Sequence, residues 1–128
     1  ASVILGAYLF TAKDLSWLGF DGPLNWPTKI GLAHKLGWVG YLNGGVLFVK
    51  ALPYTEGRHY PDNGCNFETF TNQEFLEIES LAPIVRTAPG KTVEHTERWW
   101  LLKEVKTDFS EKSIEANVKG KIEALVKQ

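Results

Sequence analysis

The chain has 128 residues, fourteen Lys and Arg against fifteen Asp and Glu, and 44% hydrophobic residues. That is the size and composition of one globular domain able to bury its own core. A formal charge of −1 leaves no basic surplus and argues against a nucleic-acid partner. The single cysteine, Cys65, excludes an intrachain disulfide and fits a reducing, cytoplasmic compartment.

Residues 2–10, SVILGAYLF, are β-branched and aromatic and predict a strand. The apolar run Val3 to Phe10 is too short to span a bilayer and lacks the basic flank of a signal peptide, so no membrane association is expected. The sequence holds no methionine, which points to processing or truncation at the N-terminus. Residues 11–28 carry Trp17 and Trp26 among Gly19, Gly22, Pro23 and Pro27, loop chemistry bearing aromatic side chains. Residues 29–33 read as a short strand. Trp38 to Leu42 and Val46 to Lys50 flank Asn43-Gly44-Gly45, a hairpin signal, because Asn-Gly readily takes the positive φ of a tight turn.

Residues 53–64 form a polar loop. Strands are expected over 65–70 and 74–81, with a turn at 71–73 between them. A turn at 88–91 then leads into a long final strand, 92–102. From Ser110 the period changes: Ile114, Val118, Ile122 and Leu125 recur every three or four residues behind a plausible N-cap. This predicts one amphipathic helix within 108–127. Many strands followed by one helix argue for a mainly β fold, an antiparallel β-sandwich with a C-terminal α-helix, in a single domain over 1–128.

Glu77 and Glu79 stand two residues apart on a strand, so they share a face about 6.6 Å apart. Phe75 and Leu81 lie on that face, and Leu76, Ile78 and Ser80 on the other. A half-apolar face with two carboxylates is either ordinary wet surface or a concave binding surface. Glu68 shares a strand face with Asn66 and Phe70, and Asn with Glu offers the donors and acceptors that suit sugar hydroxyls. No Lys or Arg lies within 68–79 to neutralise these acids.

His95 and Glu97 share a face, and pairing of Glu94 or Glu97 with Arg98 explains them as well as a site does. His34 and His59 sit in loops without ligand spacing, so no metal site is expected. No phosphate-cradling glycine loop or nucleophile elbow occurs, so no cofactor is expected. Cys65 reads as a small core residue rather than a nucleophile. Lys29 and Lys50, at the ends of apolar strands, are snorkelling lysines or ligand contacts.

The stretches KIGL (29–32), GWVGYLNGGVLFVK (37–50), YPDNGCNFETFTNQEFLEIESLAP (60–83) and APGKTVEHTERWWL (88–101) together resemble the C-terminal half of the galactose-mutarotase-like (aldose epimerase) superfamily, close to a bacterial branch of it. The resemblance implies a β-supersandwich with a sugar groove on one sheet. Catalytic members of that superfamily open and close sugar rings with a Glu base and a His acid. The Glu comes from a late strand before the proline-glycine turn, which places it at Glu79 or Glu77, with Glu68 as an alternative alignment. The expected ligand contacts are Glu68, Asn66, Lys29, Lys50 and Trp38, with Trp26 or Trp38 as a stacking platform.

Members of the superfamily are longer, and their catalytic histidines lie in an N-terminal half to which His34, His59 and His95 do not correspond. The chain is therefore expected to form a homo-oligomer or to belong with the remainder of a longer chain, since a half-sandwich exposes sheet edges. Three functions follow: a carbohydrate-binding mutarotase-like protein, an active aldose epimerase completed by other sequence, or a non-catalytic interaction domain.

Overall fold

The computed structural model describes residues 2–5, 8–11, 28–72 and 75–127. The expected aromatic loop, with Trp17 and Trp26, lies outside the described residues except at its two ends. The described chain is mainly β, in two antiparallel sheets with a C-terminal helix. It divides into two compact units, one comprising 1–21, 38–51 and 98–128 and the other 22–37 and 52–97.

The first unit holds β1 (Ser2–Leu5), β2 (Tyr8–Thr11), β4 (Trp38–Asn43), β5 (Val46–Ala51) and β8 (Arg98–Leu102). They form one sheet in the order β2-β1-β4-β5-β8. The apolar run near the N-terminus is thus two strands and not one. Val3 pairs antiparallel with Phe10.

β4 and β5 are buried on both faces at Val39 and Lys50, and the helix-facing side is apolar throughout. Trp38, Leu42, Leu47 and Val49 are buried on one face, joined there by Trp100 and Leu102 of β8. Ile114, Val118 and Ile122 cover that face from the C-terminal helix, and Val105 and Val126 fill its margins. Each fully buried aliphatic side chain contributes about 1.5–3 kcal/mol, so this layer of strand and helix is the principal apolar core among the described residues.

The helical segment runs through α1 (Glu111–Ile114), a π turn (Glu115–Lys119) and α2 (Gly120–Val126). Ser110 caps it, its Oγ accepting the Ser113 N–H at 3.2 Å, which satisfies one of the orphan amides of the first turn. At the far end the Arg98 guanidinium donates to the Val126 carbonyl at 3.1 Å and lies 5.4 Å from the Trp100 ring. Arg98 therefore serves the helix terminus, where its sequence neighbours offered Glu94 or Glu97 as partners. No helix among the described residues is long and apolar enough to cross a membrane.

The final strand starts later than its sequence suggests, at Arg98. The ladder with β5 ends at Ala51–Arg98 because its partner runs out. The Leu52 N–H is committed to the Gly37 carbonyl at 3.0 Å, and Pro53 has no N–H to offer.

The second unit holds β3 (Thr28–Leu32), β6 (Phe67–Thr71) and β7 (Leu76–Ser80), ordered β3-β6-β7. Phe67 is fully buried and Tyr60 nearly so. Tyr60 stacks on Tyr54 at 5.4 Å and accepts the Thr55 N–H at 2.9 Å, closing the loop that enters β6.

The hairpin between β4 and β5 turns on Gly44 and Gly45, at φ 57° and 78°, while Asn43 pairs with Val46 as the last strand residue. Positive φ at both central residues is the demand of a type I′ turn. A Cβ at Gly44 would meet nothing within 4 Å, so the glycine is required by backbone conformation alone. Gly44→Val is expected to destabilise the protein by roughly 1–2 kcal/mol, the cost of a left-handed non-glycine residue, read as a lowered midpoint in chemical denaturation.

Candidate functional site

The register of the second sheet decides where its charges meet. β6 pairs with β7 so that Glu68 stands directly opposite Glu79, and Phe70 opposite Glu77. β3 pairs with β6 so that Gly31 faces Glu68 and Lys29 faces Phe70. Because alternate residues of a strand share a face, Lys29, Gly31, Glu68, Phe70, Glu77 and Glu79 all project from the same side of the sheet.

Two carboxylates directly across an antiparallel ladder repel. Lys29 relieves this: its Nζ lies 2.6 Å from Glu68 Oε2 and 2.9 Å from Glu79 Oε2. The three side chains differ in exposure, at 50% for Lys29, 5% for Glu68 and 34% for Glu79. Glu68 is a buried carboxylate with a half-exposed cation as counter-ion.

Gly31 makes room for this arrangement. A Cβ there would stand 2.6 Å from Cys65 Sγ and 3.4 Å from Glu68 Oε1. The missing side chain is the hollow over which the thiol and the carboxylate sit. Burial, with help from Glu68 and Asp62, pushes the Cys65 thiol above its ordinary range. At neutral pH it is a protonated, half-buried filler rather than a nucleophile.

The two outer carboxylates are held apart in acidity. Lys29 holds Glu79 below the usual carboxylate range, and a hydrogen bond from Glu77 adds to this. The Glu77 carboxyl is pushed up, first by its hydrogen bond to Glu79 and then by desolvation and the Glu79 charge. Such a bond forms only when one of the two carries a proton, and the opposite shifts make Glu77 the first of them to take one up as pH falls. Lys29, donating to Glu68 and Glu79, is raised well above the ordinary lysine range.

An apolar surface adjoins the acids on this face. Phe70 lies among them, and its ring is 5.7 Å from that of Phe75, which is 48% exposed. The arrangement offers several carboxylate acceptors, one cation already shared between two of them, and an aromatic flank.

The other expected contacts are placed differently. Asn66 is fully buried, and its amide is spent on the backbone of His34. Its Oδ1 accepts the His34 N–H at 2.5 Å and its Nδ2 donates to the His34 carbonyl at 2.8 Å. It pins the end of β3 to the start of β6 and does not stand beside Glu68 as a ligand donor. Lys50 and Trp38 belong to the other unit. Trp38, 3% exposed, is core beneath the C-terminal helix. The Lys50 ammonium lies 5.5 Å from the Trp99 ring and its residue is buried, a cation–π contact rather than a snorkelling head.

A second polar cluster escaped the reading of the sequence. On the opposite face of β7, Ser80 Oγ lies 2.8 Å from His95 Nε2 and is hydrogen-bonded to Glu97 Oε1. An ionised Glu97 only accepts, so Ser80 donates to it and His95 Nε2 donates to Ser80. With its ring nitrogen in the donor state His95 is not the base of Ser80, and the three residues act as a brace tying segment 91–97 to β7. The shared face of His95 and Glu97 was the visible signal; the distance to Ser80 was not. Among the described residues no group of three or more His, Cys, Asp and Glu is disposed to hold a metal ion.

The signs of the carboxyl shifts give opposite stability effects. A depressed Glu79 contributes stability that is present above the ordinary glutamate value of about 4.3 and is lost as pH falls through its lower folded value. The raised Glu77 does the reverse, costing stability once pH exceeds that ordinary value. Glu79→Gln is therefore expected to lower the unfolding midpoint at pH 7, and Glu77→Gln to leave it unchanged or raise it, with both differences shrinking toward pH 3. Thermal denaturation of both variants across that range checks the pattern.

Comparison with known proteins gives no match to the chain among family models, curated proteins or solved structures.

Proposed function

We propose that this chain is a carbohydrate-binding, mutarotase-like protein whose sugar lies against the Lys29–Glu68–Glu77–Glu79 face of the second sheet. The observation that carries this reading is the convergence of three carboxylates and one lysine beside Phe70 and Phe75. A pyranose presents hydroxyls around its rim and C–H groups on its faces. Ionised carboxylates accept from paired hydroxyls, in charge-assisted bonds stronger than neutral ones. An aromatic ring beside them takes the apolar sugar face.

The split acidity gives the carboxylates separate tasks. Glu79, ionised and fixed by Lys29, is a positioning acceptor. Glu77, whose proton is held more tightly, is the group suited to exchange one with the sugar. In the epimerase reading it takes the proton of the anomeric hydroxyl. The C1–O5 bond then breaks, the exocyclic oxygen becomes a carbonyl, and a separate acid protonates the ring oxygen. The raised pKa of Glu77 is what favours this catalytic reading; binding without catalysis needs only the acceptors and the ring.

Titration with a panel of aldoses tests the site. Glu68→Gln, Glu77→Gln and Glu79→Gln are each expected to weaken binding by roughly 1.5–3 kcal/mol, the worth of a hydrogen bond to a charged group, and Phe70→Ala by a comparable amount. A sugar that binds equally well to all four variants places the site elsewhere. Anomer exchange followed by NMR, faster than the buffer rate and lost in Glu77→Gln, separates an epimerase from a binding protein.

A further inference from the structure

The carboxylate face of the second sheet has a charge as well as a shape. Its three strands put Lys29, Gly31, Glu68, Phe70, Glu77 and Glu79 on one side, three acids against one base. The base is already engaged, since Lys29 Nζ lies 2.6 Å from Glu68 Oε2 and 2.9 Å from Glu79 Oε2. The third acid, Glu77, is exposed and hydrogen-bonds to Glu79. Among the described residues it meets no cation in an ion pair. With all the acids ionised, the face keeps an excess of negative charge, and that excess lies on the Glu77–Glu79 side.

We propose that the sugar taken by this face is a 2-amino-2-deoxyaldose, whose ammonium bridges Glu77 and Glu79. This rests on the sugar reading of the face and adds to it the charge of the ligand. Lys29 shows the chemistry at work, one primary ammonium shared between carboxylates of neighbouring strands. A second ammonium between Glu77 and Glu79 repeats it, and charge-assisted hydrogen bonds of this kind are the strong ones. The position on the ring follows from the anomeric hydroxyl, which the epimerase reading sets against Glu77. The substituent on C2 is its neighbour, so the same carboxyl reaches both. Phe70 stands directly across the ladder from Glu77, and aromatic rings stabilise a cation beside them.

The same charges select against acidic sugars. A phosphate or a uronate needs a cation, and the lysine of this face is committed to two carboxylates. Glu77 then repels the ligand instead of holding it.

Calorimetric titration of the 128-residue chain at pH 6, where the sugar amine is protonated, tests the proposal. The ligands are glucosamine and galactosamine, their N-acetyl derivatives, the parent hexoses and the hexose 6-phosphates. The amino sugar of at least one series is expected to bind tenfold or more tighter than its N-acetyl derivative and its parent, and the phosphate more weakly than either. Glu77→Gln keeps the shape of the side chain and removes its charge, and is expected to reduce the preference for the amine over the N-acetyl sugar to threefold or less. Neutral or phosphorylated hexoses that bind as tightly as the amino sugars overturn the proposal. If that binding is weakened by Glu68→Gln or Glu79→Gln, the sugar site itself stands. A preference for the amine that survives Glu77→Gln also overturns it. Binding of no sugar of any charge overturns the sugar reading, and this proposal with it.

Discussion

The Lys29 ammonium is the contact on which the second sheet depends. Its register places Glu68 and Glu79 directly across from each other, and Glu68 is almost wholly buried. A buried carboxylate without a partner is among the costlier things a fold can contain. A cation from the third strand reaches both acids here, Lys29 of β3. The strand order β3-β6-β7 and the charge arrangement thus support one another. Gly31 adds a second condition, since a Cβ at that position would stand 2.6 Å from Cys65 Sγ and the thiol would have to move.

From that one cation the acidities of the outer residues follow. Lys29 favours the ionised form of Glu79, and an ionised Glu79 in turn favours the protonated form of Glu77. Two glutamates two residues apart on one strand are pushed in opposite directions because only one of them reaches the lysine. Such a separation is how one environment provides a fixed anion beside an exchangeable proton.

Much of this was legible in the sequence because it rests on period and spacing. The helix over Glu111–Val126 was visible in the recurrence of Ile114, Val118 and Ile122, all buried against the sheet. The hairpin was visible in Asn43-Gly44-Gly45. The common face of Glu77 and Glu79 follows from strand geometry alone, and the approach of Glu68 from the turn that joins neighbouring strands. What the sequence hid was long-range. Asn66 looked like a ligand donor because its partner, the backbone of His34, lies 32 residues away. Trp38 looked like a stacking platform because nothing local distinguishes a core tryptophan from an exposed one. Lys29 looked like a surface lysine because its two acids come from other strands. The strand over 92–102 looked long because the end of its ladder is set by Pro53, on a different segment.

Carboxyl-detected NMR of the glutamate side chains, titrated with pH and then with an aldose, bears most directly on the site. The Glu77 carboxyl is expected to titrate above the ordinary glutamate range and Glu79 below it. On addition of a sugar that binds, the carboxyl resonances of Glu68, Glu77 and Glu79 are expected to shift together along one saturation curve. Saturable binding of a sugar that leaves these three resonances in place would contradict the assignment of the carbohydrate site to this face.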